Sequence, residues 1–172
     1  MRVSRSSKNI CLRRMSKTCR RLSVREMPSY EYLKAVLNVC QERMHTLKDI
    51  YEAGSYFFTE PDYSTTECSN FREKCGAGVS STSPTYPDKI VTAAIDRLNV
   101  MTEWKAKNIS ETVKSVAEQT GQKSSVVMQV LRYAVAGLKP GVGVPVIIEI
   151  LGKQRVTERL EKCRTSQEKR DM

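Results

Sequence analysis

The sequence predicts an all-α fold of two small helical subdomains behind a disordered basic leader. Three observations carry this reading. Apolar residues recur at spacings of three and four through most of the chain, the period of one helix face. No stretch alternates apolar and polar residues in the two-residue period of a strand. Glycine and proline stand between the apolar stripes, where helices stop and start.

Residues 1–25 form the leader, with nine Lys/Arg and no Asp or Glu. Scattered apolar residues (Ile10, Leu12, Met15, Leu22) and abundant Arg and Ser fit a mitochondrial transit peptide. The expected location is the mitochondrial matrix; the alternatives are a bacterial, other organellar or cytoplasmic setting. The leader reads otherwise as a disordered basic tail or as sequence not native to the protein. It has no continuous apolar run, so a secretory signal is not expected.

The first subdomain is placed at 26–86. Leu33, Val36, Leu37, Cys40, Met44, Leu47 and Tyr51 make one stripe, which predicts a helix from Ser29 to about Ala53. Pro28 precedes it and Gly54 follows it. The cluster Tyr56-Phe57-Phe58 reads as a core anchor ahead of a base-stacking platform. Ser64 and Glu67 have capping-box spacing for a helix ending at Gly76. Residues 76–86, rich in Gly, Ser, Thr and Pro, read as a linker.

The second subdomain is placed at 87–164. Pro87 opens a helix with Ile90, Ala94, Ile95, Leu98 and Met101 inside. Asn108 with Glu111 suggests a capping box for the stripe Ile109, Val113, Val116, Ala117, which Gly121 ends. Ser124 or Ser125 is the expected cap of a helix holding Val127, Val130, Leu131, Ala134 and Val135. That helix stops at Gly137. Pro145 starts another that ends near Gly152, and a short helix with Val156 and Leu160 follows. Residues 165–172 are a polar tail expected to fray.

Composition narrows the function classes. Of 172 residues, 40% are hydrophobic and 28% charged, as in a globular protein with a modest core. The longest apolar run, Val144 to Ile148, is far too short to span a bilayer. The net charge of +10 suggests a polyanionic partner. Its distribution matters more. Beyond the leader there are 20 basic and 19 acidic residues, a balance of +1. The folded part therefore cannot be assigned to nucleic acid on charge.

Six cysteines stand at 11, 19, 40, 68, 75 and 163, none in a Cys-x-x-Cys pair, beside the single His45. Structural zinc needs closely paired ligands, so no metal site is expected and free thiols are. His45 has no Ser or Cys partner at a diagnostic spacing, and no P-loop or Gly-x-Gly-x-x-Gly occurs. No catalytic residue is assigned. What stands out is the corner from Leu131 to Lys153. There Arg132 lies beside an apolar stripe, and a loop rich in Gly and Pro joins two apolar helices.

Several motifs occur in a particular order. They are Arg43-Met44-His45-Thr46-Leu47-Lys48, Tyr56-Phe57-Phe58-Thr59-Glu60, Glu103-Trp104, Leu131-Arg132 with Ala134, Gly137 and Gly143, and Glu149-Ile150-Leu151-Gly152-Lys153. Over roughly residues 26–163 the chain thereby resembles the C-terminal, anticodon-binding region of glutamate–tRNA ligases of the bacterial and organellar type. The resemblance implies a helical anticodon-binding cage whose partner is the anticodon of tRNA(Glu). It implies that Arg43 reads anticodon bases, because a planar guanidinium offers paired donors to a base edge. It places Arg132 near the anticodon backbone. It gives Gly141, Val142, Gly143 and Val144 the turn that touches splayed bases through backbone groups. Val142 stands where the family often has proline. Trp104 matches a tryptophan read as core packing.

The family's class I catalytic domain, which uses ATP and Mg, has no counterpart among these motifs. Arg14-Met15-Ser16-Lys17-Thr18 looks like that domain's Lys-Met-Ser-Lys-Ser loop, but no nucleotide-binding fold surrounds it, and the match is taken as chance. The expectation is a monomeric RNA-binding module with no cofactor of its own, inactive alone as a ligase, contacting neither membrane nor DNA. It is read as a truncated product, a partial gene model or a stand-alone module. The alternative is a helical interaction or structural protein that kept the fold without reading RNA. A small enzyme of unrelated chemistry is the third reading.

Overall fold

The structure, a computed structural model, describes residues 28–44, 49–50, 54–76 and 86–168. The leader, His45, most of the 76–86 linker and the last four residues lie outside the described residues. Among the described residues there are seven α-helices and no strand. They are α1 (Tyr30–Cys40), α2 (Thr66–Gly76), α3 (Tyr86–Val100), α4 (Ala106–Thr120), α5 (Ser124–Ala136), α6 (Val144–Leu151) and α7 (Lys153–Glu168). Two 3-10 turns, Gln41–Arg43 and Ser55–Phe57, complete the set. The all-α class is as the sequence predicts.

The chain divides into two compact units. The first comprises residues 1–60 with 140–142, the second 61–139 with 143–172.

In the first unit, Ser29 caps α1, its hydroxyl accepting the Tyr32 N–H at 3.2 Å. Leu33, Val36 and Cys40 form the buried face. The helix predicted to run to Ala53 instead ends at Cys40. Gln41–Arg43 tightens into the 3-10 turn, and Met44 is extended at φ −115°, ψ 123°. In one continuous helix Cys40 and Gly54 would stand about 21 Å apart. Here a Cβ on Gly54 would lie 3.2 Å from the Cys40 Sγ. The chain therefore doubles back after α1. The aromatic cluster is core, as read: Tyr56, Phe57 and Phe58 are all buried. Tyr32 donates its hydroxyl to the Phe57 carbonyl at 2.7 Å, which fixes the Ser55–Phe57 turn against α1.

In the second unit, α5 is the central helix, with seven buried residues from Val127 to Ala136. It packs on α3, α4, α6 and α7. The segment around α2 belongs here too. Tyr63 donates to the Ala134 carbonyl at 2.6 Å, and the rings of Tyr63 and Phe71 lie 5.4 and 5.3 Å from that of Tyr133. The compact units thus part between Glu60 and Pro61. Trp104 is half-buried, its indole N–H donating to the Ile148 carbonyl at 3.0 Å, a packing role in α6's support. Arg159 is buried at 2% exposure and donates to the Val135 carbonyl at 2.7 Å. A cation there complements the C-terminal end of α5.

Three caps differ from expectation. Thr65, not Ser64, accepts the Cys68 N–H. The Ser64 hydroxyl turns back to Asp62 instead. Asn108 lies inside α4 and donates to the Glu103 carboxylate at 3.1 Å. Ser124 and Ser125 are the first residues of α5, whose N-cap is Lys123. The stops hold. Gly121 at φ +66° ends α4 with the paired Gly121→Glu118 and Gln122→Ala117 bonds of a Schellman turn. Gly137 at φ +60° ends α5. Pro145 sits in the first turn of α6. The last helix is longer than expected and continues to Glu168.

Candidate nucleic-acid interface

Arg43 closes the 3-10 turn after α1 and is exposed. The extended backbone at Met44 ends the turn, so Arg43 sits at its outgoing end. The neighbouring Cys40 thiol is buried, and burial pushes it up to about 11 from 9.0. Arg43's charge opposes that rise.

The corner after α5 is built from backbone constraints. Gly137 is left-handed, and so is Leu138 at φ +63°. Two such residues in a row reverse the chain sharply, and the second is a bulky side chain in a costly region. Arg132, half-buried on α5, donates from Nη1 to the Lys139 carbonyl at 3.2 Å. One basic residue therefore braces the backbone of another. Asp62 faces this corner. The Ser64 hydroxyl and N–H both bond its carboxylate and hold it below the usual range, and the Lys139 charge acts in the same direction.

The four loop residues fall into different roles. Gly141 has φ +150°, a backbone that favours glycine. Val142 is 5% exposed, and its N–H donates to the Tyr56 hydroxyl at 3.2 Å. That N–H is committed inside the protein, which corrects the expectation that it faces RNA. A proline at this position has no N–H to donate. Gly143 is exposed, with open space where a Cβ would stand, and caps α6. Val144 is buried as the first residue of α6. Arg43, Gly141 and Val142 lie in the first unit; Arg132, Gly143 and Val144 lie in the second.

Sequence reading missed Tyr56 and Lys139 as parts of the site. Tyr56 was legible in its aromatic motif as a core anchor, but its tie to the loop was not, because that partner is 86 residues away. Lys139 was visible as a loop cation, but its tie to Arg132 was not. An open groove of about 380 Å³ lies at the α3–α4 corner, lined in part by Glu103 and Glu111. Two carboxylates make it a poor seat for a phosphate. Among the described residues no group of His, Cys, Asp and Glu is placed to hold a metal, and no helix is long and apolar enough to cross a membrane.

The described residues form an all-helical scaffold that carries exposed basic residues, Arg43 and Lys139, at two of its turns. Residues 12–164 match the family described as an anticodon binding domain. The chain belongs to that family. It is 32% identical over 144 residues to a glutamate–tRNA ligase 2 of Pseudothermotoga lettingae, covering 83% of this chain and 29% of that protein. It is 31% identical over 135 residues to a glutamate–tRNA ligase of Thermus thermophilus, covering 78% and 26%. In fold it is similar to the crystal structure of a glutamate tRNA ligase from Elizabethkingia meningosepticum. That likeness has a TM-score of 0.69 at 23% identity, over 91% of this chain and 29% of the other. The chain thus spans less than a third of the length of these relatives.

Proposed function

We propose that this chain recognises the anticodon of tRNA(Glu) and serves glutamyl-tRNA aminoacylation as a binding module. The observation that carries this is the family match over residues 12–164, with both basic turns inside it. Arg43 is the base reader, presenting a rigid fork of donors to a cytosine or guanine edge. Arg132 holds the corner where the backbone of the anticodon passes. Gly141 and Gly143 let backbone groups approach unstacked bases. RNA binding by the module needs neither ATP nor Mg, and the module acts as a monomer. The leader's composition supports delivery to mitochondria.

Titration with a synthetic RNA hairpin carrying a glutamate anticodon, beside one with a mismatched anticodon, tests this. Arg43→Ala is expected to cost about 1–3 kcal/mol of discrimination. Equal affinity of the parent chain for both hairpins would remove anticodon reading. ATP–pyrophosphate exchange is expected to be absent, and clear exchange by the purified chain would overturn the module reading. The near-neutral balance of residues 26–172 favours one rival, a helical interaction protein that binds no RNA. Absence of any hairpin binding at low salt would decide for it.

A further inference from the structure

We propose that Tyr56 is a positioning residue for base reading, its hydroxyl setting the Gly141–Val142 backbone through the Val142 N–H. The inference rests on the anticodon-reading function proposed above. Pro140–Val142 is grouped with residues 1–60, although the sequence on either side belongs to the other unit. Within that unit a buried hydrogen bond joins the two segments, Val142 N–H to the Tyr56 hydroxyl at 3.2 Å.

Tyr56 is only 1% exposed, and its ring packs 4.7 Å from that of Phe57. A buried phenol keeps its oxygen where that oxygen has a partner. The partner is the loop. Gly141, at φ +150°, adopts a backbone that favours glycine, and the N–H of the residue after it is anchored to Tyr56. A backbone group discriminates between bases only if it is held still before the base arrives.

The same scaffold reaches Arg43. The Ser55–Phe57 turn that carries Tyr56 is fixed to α1 by the Tyr32 hydroxyl on the Phe57 carbonyl at 2.7 Å. Gly54, just before it, closes on Cys40 at the end of α1, and Arg43 follows in the next turn. One aromatic block therefore holds both the arginine turn and the glycine loop.

The test is a double-mutant cycle on the full chain, read as the ratio of affinities for glutamate-anticodon and mismatched RNA hairpins. Tyr56→Phe removes the hydroxyl that accepts the Val142 N–H, keeps the ring, and is expected to lower that ratio about fivefold or more. Its affinity for the mismatched hairpin and its salt dependence should stay at parent values. Val142→Pro removes the donor from the other side and leaves the aromatic block intact. In that background Tyr56→Phe is expected to change the ratio no further. An equal drop in affinity for both hairpins marks a structural role only and overturns the proposal. So does a drop in the ratio that persists undiminished in the Val142→Pro background. A parent chain that discriminates while Tyr56→Phe keeps its ratio sinks this inference alone. A parent chain that does not discriminate sinks the function and this inference together.

Discussion

Cys40 illustrates how a single residue ties packing to solution behaviour. Its side chain is fully buried at the end of α1, and burial holds the thiol neutral up to about pH 11. In the unfolded chain it ionises near its ordinary 9.0. Between these values the folded state keeps a proton that the unfolded state has lost. Stability therefore falls as pH rises through this window. Two units correspond to about 2–3 kcal/mol. Urea unfolding at pH 8, 9, 10 and 11 should show a steeper loss for the parent chain than for Cys40→Ala. A variant profile parallel to the parent's would remove the thiol from the account. At neutral pH the same burial makes Cys40 a poor nucleophile, as do the buried positions of Cys68 and Cys163.

At the scale of elements, the reversal after α1 is held by the fit of Gly54 between Cys40 and Ile50. A Cβ there would meet the Cys40 Sγ and the Ile50 Cδ1 at 3.2 Å each, and φ is negative, at −148°. The cost of Gly54→Ala is thus overpacking, about 1–3 kcal/mol. Cys40→Ala removes one of the two obstacles, so the double variant should lose less than the sum of the singles. Additive losses in urea unfolding would place the strain elsewhere. This reversal was hidden in the sequence, because Cys40 and Met44 keep helical spacing across the break. The stripes of α3 to α6 were legible because each buries one face, and Gly121 and Gly137 were legible because a left-handed stop selects glycine. Caps were not. Ser64 and Thr65 are adjacent capping types, and Asn108 and Ser124 sit within three residues of the true starts. Residue type alone could not choose the register.

At the scale of the whole molecule, the Val142–Tyr56 bond ties together residues 86 apart in the chain, both of them in the first unit. Arg43 and Arg132 could be named from the sequence because each lies in a local motif. Tyr56 also lies in a local motif, but its bond to Val142 does not follow from that motif, and the bond from Arg132 to the Lys139 carbonyl depends on the turn at Gly137 and Leu138. Charge is divided as unevenly as contacts. Residues 1–25 carry nine basic residues and no acid, and the other 147 residues balance to +1. Affinity and discrimination should therefore separate. Replacing Arg13, Arg14, Arg20 and Arg21 by Gln removes four of the leader's charges. If those groups contact phosphate, the log–log salt slope should fall by up to about 3, at about 0.7 per contact. The ratio between matched and mismatched hairpins should not move. Arg132→Gln should lower the slope by about 0.7. Arg43→Ala should do the reverse, lowering the ratio and leaving the slope nearly intact. Binding measured from 50 to 200 mM salt resolves both quantities on the same samples. A variant in residues 1–25 that loses discrimination would place base reading partly in that segment, and the proposed separation of affinity from discrimination would fail.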